Sequence, residues 1–261
     1  MNLSLVIPTK MPPTNRKPTR HRIDHLLVER GLAVSQQKAR ALLMAGQVTA
    51  DGRRIDKAGA LVDTTAEIRL AAAPPYVGRG GVKLAHALQK LLPDIDIADA
   101  VVLDVGASTG GFTDCLLQHG ARRVYALDVG YGQFHQRLRD DPRVVVMERV
   151  NARNPFQLPE PADLATVDVS FISLTKVLPR VMEHLRPGGP ILALVKPQFE
   201  AARSEVGTGG VVRDPQVHAA VLARLIAWVV ARGLRLRGLT PSPLLGDAGN
   251  REFFLLLELA G

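Results

Sequence analysis

The sequence of 261 residues has one cysteine, only 4% aromatic residues and no long apolar run. A single cysteine excludes an internal disulfide framework and fits a reducing compartment. The longest apolar stretch, residues 219–234, is interrupted by Arg224 and Arg232, so no membrane span is expected. The opening residues MNLSLVIP lack the basic start and the apolar core of a secretory signal. These absences predict a cytoplasmic protein.

Metal chemistry is not indicated either, because the seven histidines are scattered without ligand spacing. The lone Cys115 stands beside Leu116 in an apolar segment, which favours a small core residue over a nucleophile. What the sequence does have is 46% hydrophobic residues, enough for a sizeable core in one large domain and a small one.

Positive charge is concentrated at the N-terminal end of the chain. Residues 1–80 contain 13 Lys and Arg against 6 Asp and Glu, a net of +7, whereas the whole chain has a net of +8. A local basic surface indicates a polyanionic partner, most simply a nucleic acid, although charge alone is also compatible with a solvated face.

The N-terminal third divides into a tail and a small module. Residues 1–20 are rich in Pro, Thr and basic residues without periodicity, which predicts a disordered basic tail, and Met11 is an alternative start. Residues 21–70 predict two short helices and a hairpin, with Ser35 capping the second helix and a turn at Asp51-Gly52. This module and the segment after it are rich in basic residues. We predict that seven of them bind RNA: Arg22, Lys38, Arg40, Arg53, Arg54, Lys57 and Arg79.

The run RIDHLLVERGLAVSQQKARALLMAGQVTADGRRI resembles the S4 RNA-binding domain over nearly the whole module. Residues 71–82 contain Pro-Pro and three glycines, which predicts a linker. From Lys83 to Gly261, apolar runs alternate with helical patterns, which is typical of a parallel sheet covered on both faces. We therefore predict an α/β fold, a Rossmann-like sheet that is mostly parallel with an antiparallel last strand, preceded by a small α+β module.

A glycine-rich turn follows the first predicted strand in LDVGASTGGFTDCLL. Its spacing, G-x-x-x-G-G, differs from the G-x-G-x-x-G of dinucleotide sites, and no lysine follows to hold a triphosphate. Asp104 precedes the glycines, and Asp128 ends the second strand, where an acid can accept both ribose hydroxyls of an adenosine. S-adenosylmethionine fits such a turn, because it has an adenosine and no phosphate, and its amino group would find Asp104 or nearby carbonyls. A Rossmann-like turn for another ligand is the alternative.

Four charged residues are expected at the carboxyl edge of this sheet. Asp168 ends the fourth strand, Lys196 ends the fifth, Glu252 begins an antiparallel last strand, and Lys83 opens a helix after the linker. A ribose hydroxyl is a poor nucleophile until its proton is removed, and a partly desolvated lysine can act as the base. We assign Lys196 to activate the hydroxyl, Asp168 and Glu252 to hold the lysines, and Lys83 to position the acceptor ribose. Each residue taken singly is also compatible with an ordinary strand-end charge.

Five segments in order, YVGRGGVKL, LDVGASTGGFTDCLL, DVSFISL, LVKPQFE and SPLLGDAGNREF, resemble the haemolysin A–like (TlyA) rRNA methyltransferases, which join an S4 domain to an FtsJ-like domain. The resemblance implies 2′-O-methylation of cytidine in ribosomal RNA or ribosomal subunits, with S-adenosyl-L-methionine as cofactor. It implies a catalytic tetrad of Lys83, Asp168, Lys196 and Glu252. It also implies cofactor contacts at Asp104, Gly106, Ser108, Gly110, Gly111, Phe112, Asp128 and Asn151.

Two other functions are compatible with parts of the sequence. An S4-type ribosome assembly factor with an inert Rossmann-like domain would keep the basic module, but it would not need the tetrad. A pyridine-nucleotide oxidoreductase is opposed by the glycine spacing.

Overall fold

A computed structural model of the chain describes residues 19–71, 74–93 and 97–259. They form two compact units, the first ending at Pro74 and the second beginning at Pro75. The predicted basic tail lies outside the described residues up to position 18, and Arg20 already belongs to a strand.

The first unit contains both predicted helices and the predicted hairpin. Ser35 caps the second helix, where its hydroxyl accepts a hydrogen bond of 3.2 Å from the Lys38 backbone N–H. Three further strands of three residues were not predicted, because segments this short leave little periodicity. The elements are β1 (Arg20–Arg22), α1 (Ile23–Glu29), α2 (Gln36–Met44), β2 (Val48–Ala50), β3 (Arg53–Ile55), β4 (Leu61–Asp63) and β5 (Ile68–Leu70).

Strand pairing in this unit is antiparallel throughout: β1 pairs with β4, and β2 lies between β3 and β5. Ile23 and Leu27 of α1 pack with Leu43 of α2 and Val48 of β2 in a small core, and all four are fully buried. The basic side chains therefore lie on the outside of a module whose apolar residues hold its two helices together.

The second unit is a sheet of seven strands flanked by helices. Its strands are β6 (Val101–Val105), β7 (Arg123–Asp128), β8 (Val144–Glu148), β9 (Leu164–Val167), β10 (Pro190–Val195), β11 (Leu234–Pro241) and β12 (Phe253–Leu259). Its α-helices are α3 (Arg79–Leu91), α4 (Gly111–Gln118), α5 (Gln136–Arg139), α6 (Leu178–Met182), α7 (Pro197–Glu200) and α8 (Pro215–Ala231).

The strand order is β11-β12-β10-β9-β6-β7-β8, and β12 runs antiparallel to both of its neighbours. Alternate residues of the central strands enter the cores on opposite faces: Leu103 and Ile191 pack on the side of α6 and α8, whereas Val102 and Leu192 pack on the side of α3 and α4. The predicted fold class is confirmed, including the antiparallel last strand.

The predicted linker, residues 71–82, overlaps helix α3, which begins at Arg79. Gly80 and Gly81 lie within the first turn, and their lack of a side chain permits close packing: a Cβ on Gly80 would lie 3.1 Å from the Phe112 ring, and one on Gly81 would lie 2.3 Å from Tyr76. The glycines that suggested flexibility in the sequence therefore serve tight contact between α3 and its neighbours.

Candidate active site

The carboxyl edge of the parallel strands gathers the predicted charged residues. Asp168 follows β9, Lys196 follows β10, and Glu252 precedes β12. Val195 of β10 pairs with Phe253 of β12, and the two strands are antiparallel. Lys196, which follows β10, and Glu252, which precedes β12, therefore lie side by side. The topology of the sheet therefore brings these side chains to one edge, as the alternation of strands and helices predicts.

Lys196 forms an ion pair with Asp168. Its Nζ lies 2.7 Å from Asp168 Oδ1 and donates a hydrogen bond of 2.8 Å to the Ser170 hydroxyl. Only 12% of the Lys196 side chain is exposed. Because no hydrogen bond of good geometry reaches the buried Oδ1 from the described residues, that oxygen keeps accepting capacity beside the ammonium group.

Lys83 forms a second, more deeply buried ion pair. Its Nζ donates a hydrogen bond of 2.5 Å to Glu252 Oε2, and both side chains are nearly inaccessible to solvent. The loop before β12 passes close to this carboxylate at Gly246, where a Cβ would lie only 2.2 Å from Glu252 Oε1. The pair links α3 to β12, so it fixes the helix to the same sheet edge that holds Asp168 and Lys196.

The glycine-rich turn lies directly beside Asp168. Gly106 follows β6 with φ of 87°, and a Cβ there would lie 2.3 Å from the Asp168 carbonyl oxygen. The Asp168 backbone N–H also donates a hydrogen bond of 2.8 Å to the carbonyl of Val105. A glycine at position 106 is therefore needed for the turn and the Asp168 segment to approach each other.

Asp104 lies beneath the turn and is enclosed by protein groups. Its side chain is fully buried, and the hydroxyls of Thr113 and Thr166 donate hydrogen bonds of 2.7 and 2.9 Å to its two oxygens. Burial raises the pKa of this carboxyl to about 6. The hydrogen bonds from the two threonines indicate that Asp104 supports the turn from below, and its proposed contact with the amino group of the cofactor stays a prediction.

Asp128 organises the neighbouring loop at the end of β7. Its two oxygens accept hydrogen bonds from the backbone N–H groups of Ser108 (2.7 Å) and Gly130 (2.6 Å). The next residue, Val129, leaves 69% of its surface exposed, and Ser108 is exposed as well. A carboxylate with remaining lone pairs beside an open apolar side chain suits a ribose hydroxyl next to an adenine face.

The other predicted cofactor residues differ in burial. Phe112 is buried and stacks on Phe254 with ring centroids 6.1 Å apart, so it belongs to the core. Side chains on Gly110 and Gly111 would overlap Leu138 and the backbone of α3. Asn151 is exposed after β8, and its side chain accepts a hydrogen bond from the Arg153 N–H.

The predicted RNA-binding residues are all exposed, and they belong to both units. Arg22 and Arg40 of the first unit both contact the buried Asp24. Arg79 belongs to α3 of the second unit, and its guanidinium donates a hydrogen bond of 2.6 Å to the carbonyl of Leu245. The remaining four lie on the surface of the first unit: Lys38, Arg53, Arg54 and Lys57.

The structure adds two residues that the sequence analysis did not single out, Ser170 and Phe171. Ser170 accepts the hydrogen bond from Lys196. Phe171 is 91% exposed, has φ of 63° and lies 5.0 Å from the Phe199 ring. An exposed aromatic ring in left-handed backbone beside a charged site points to a ligand contact, but in the sequence it reads as one more apolar residue of DVSFISL.

Comparisons with known proteins cover nearly the whole chain. The family model described as FtsJ-like methyltransferase matches residues 76–259, and the S4 domain model matches residues 21–68. The 16S/23S rRNA (cytidine-2′-O)-methyltransferase TlyA of Mycobacterium tuberculosis is 46% identical over 243 residues, which are 92% of this chain and 90% of that protein. Hemolysin A of Brachyspira hyodysenteriae is 38% identical over 236 residues, 89% of this chain and 97% of that protein.

A solved structure is similar over most of the chain. A candidate hemolysin of Streptococcus thermophilus is 41% identical, has a TM-score of 0.70, and covers 93% of this chain and 89% of that chain. Within residues 19–71, 74–93 and 97–259, no helix is long and apolar enough to cross a membrane.

Proposed function

The chain belongs to the FtsJ-like methyltransferase family, in its haemolysin A–like (TlyA) branch, and on this premise we propose that it transfers a methyl group to a ribose 2′-hydroxyl of ribosomal RNA. The acceptor that this family membership favours is cytidine. The observation that carries the proposal is the pair of lysine–carboxylate contacts at the sheet edge, next to the glycine-rich turn.

The residues at the turn fit S-adenosylmethionine better than a nucleotide with phosphates. The Asp128 carboxylate and the exposed Val129 offer a ribose acceptor and an apolar surface, and a lysine that would bind phosphate is missing from the turn sequence. When bound, this cofactor supplies a methyl group on a positively charged sulfur. We assign its contacts to Gly106, Ser108 and Asp128, with Asn151 at the outer edge.

We assign acceptance of the ribose 2′-hydroxyl proton to the Lys196 Nζ atom, which must be a neutral amine to accept it and becomes an ammonium group when it does. Asp168 and Ser170 fix this atom from two sides, so its third hydrogen-bonding direction is left for the ribose oxygen. Lys83, held by Glu252, supplies a second positive charge at the same edge and orients the acceptor. A charged oxygen that develops as the hydroxyl loses its proton would be stabilised by both ammonium groups.

The substrate assignment combines the two units. We assign the first unit, residues 21–70, to binding of structured RNA, because its basic side chains lie outside a small core and suit backbone phosphates. The second unit carries the methyl transfer. An enzyme that acts on ribosomal RNA works where ribosomes are assembled, which favours the cytoplasm.

The test is methyl transfer in vitro with the purified full-length chain, tritiated S-adenosylmethionine and unmodified ribosomal RNA transcripts. We expect incorporation with the wild-type chain, loss of at least 100-fold in kcat for Lys196→Ala, and wild-type activity for the exposed control Lys176→Ala. Equal activity of the two variants would contradict the role of Lys196.

The alternative, an inert S4-type assembly factor, is not favoured by the relatives, which include a named rRNA methyltransferase. Calorimetry separates the two functions: the enzyme must bind S-adenosylmethionine, whereas an inert factor gives no heat with or without RNA.

A further inference from the structure

The first unit contains a fully buried carboxylate that is not part of its apolar core. Asp24 belongs to the first turn of α1 and has no exposed surface. An ionised side chain is seldom buried to this degree unless other groups compensate its charge, because its desolvation is costly. Its partners therefore indicate what it is for.

Two arginines from different elements compensate Asp24. Arg22, at the end of β1, donates to both carboxylate oxygens, with its Nε at 3.1 Å and its Nη2 at 2.8 Å. Arg40 of α2 adds a longer contact of 3.5 Å from its Nε. The hydrogen bonds from Arg22 lower the pKa of Asp24 to about 2, so the carboxylate is ionised at any physiological pH.

Both arginines keep donors on their outer side. The Arg22 side chain is 47% exposed and that of Arg40 is 54% exposed. Among the described residues, neither Nη1 atom has a hydrogen-bond partner. One carboxylate therefore holds the Arg22 guanidinium by its inner edge and the Arg40 guanidinium by one longer contact, and the group of three retains one net positive charge at the surface.

We propose that Asp24 is a positioning residue that holds Arg22 and Arg40 as a preformed site for one backbone phosphate of the RNA. This inference rests on the proposed function, in which the first unit binds ribosomal RNA. Guanidinium groups match phosphate oxygens with paired hydrogen bonds, and a side chain that is already held loses less freedom on binding.

Simple electrostatic attraction and a positioning role of Asp24 predict opposite effects of Asp24→Asn on the affinity for RNA. The substitution raises the net charge by one, so electrostatic attraction alone predicts equal or tighter binding of RNA. If Asp24 orients the arginines, the substitution leaves them without a fixed orientation. We then expect the affinity for RNA to fall by about tenfold, and the salt dependence of binding to decrease by the amount that corresponds to about one phosphate contact.

The experiment is filter binding of the full-length chain to radiolabelled 16S and 23S rRNA transcripts at several salt concentrations. The matched control is Glu29→Gln, which makes the same charge change at an exposed position of the same helix. We expect the control to bind at least as tightly as the wild type. In a chain already carrying Arg22→Gln and Arg40→Gln, we expect Asp24→Asn to cause no further loss.

Steady-state methylation provides a second readout. Asp24→Asn should raise KM for RNA while kcat at saturating RNA and affinity for S-adenosylmethionine stay unchanged, which a general structural defect would not produce. The inference is overturned if Asp24→Asn binds RNA like Glu29→Gln, or if it weakens binding equally in the chain without the two arginines.

A variant that keeps the buried carboxylate guards against misfolding. Arg22→Lys conserves the charge but loses the bidentate hydrogen bond to Asp24, so we expect weaker RNA binding. The matched control is Arg69→Lys, because Arg69 forms an exposed ion pair with Glu67, and this variant should bind RNA normally. Equal binding of these two variants also overturns the inference. Failure of the wild-type chain to bind either transcript would instead contradict the proposed function.

Discussion

The buried Lys83–Glu252 pair allows a quantitative test of how the site is built. Glu252→Gln removes the charge that compensates an ammonium group whose side chain is only 10% exposed. Removing one partner of a buried ion pair costs about 3–5 kcal/mol, because the other charge is left without compensation. If the free energy of unfolding decreases by about 2 kcal/mol per molar urea, the urea concentration at the unfolding midpoint should fall by about 1.5–2.5 M.

Trp228 is the only tryptophan and lies in α8, so its fluorescence reports unfolding of the second unit. Glu258→Gln on the same strand is the matched control, because its pair with Arg237 is much more exposed and should change stability by less than about 1 kcal/mol. Combining Lys83→Met with Glu252→Leu should restore most of the stability but none of the activity. Equal midpoints for Glu252→Gln and Glu258→Gln would show that Glu252 does not compensate a buried charge.

Three further outcomes follow from the site. Phe171→Ala should lower kcat/KM for RNA by about tenfold to 100-fold through lost base stacking, with an unchanged melting temperature, because the ring is 91% exposed; a normal kcat/KM would exclude a stacking role. Gly106→Ala should displace the Asp168 segment and lower both stability and cofactor affinity, since the added Cβ would lie 2.3 Å from a carbonyl oxygen; calorimetry with S-adenosylmethionine checks this. The pKa of Asp104 is raised from 3.8 to about 6, so the folded state binds this proton more tightly than the unfolded state. Relative to Asp104→Asn, the wild type should therefore lose about 3 kcal/mol of stability as pH rises from about 3 to about 7, and a constant difference across that range would contradict the burial argument.

The sequence was informative about the sheet because apolar runs and their alternation with helices determine a parallel topology. Once the strand order is given, the residue after each strand must lie at one edge, which is why the neighbourhood of Asp168, Lys196 and Glu252 was predictable. The pairing of each lysine with one particular carboxylate required the coordinates, because it depends on side-chain reach across neighbouring strands.

Burial was the harder property to predict. Phe112 and Phe171 both follow strands of the same sheet and look alike in sequence, yet the first stacks in the core and the second is exposed. Asp104 and Asp128 likewise both lie at strand ends, but two threonines enclose only the first. These differences arise from tertiary packing, which no local pattern records.

The most direct test is to map methyl groups on ribosomal RNA after reaction with the full-length chain, by digestion to nucleosides and mass spectrometry. We expect a methyl group on a ribose 2′-oxygen, most simply of cytidine, made by the wild type and by Lys176→Ala but not by Lys196→Ala. A methyl group on a base, or the same ribose product from Lys196→Ala, would contradict this expectation.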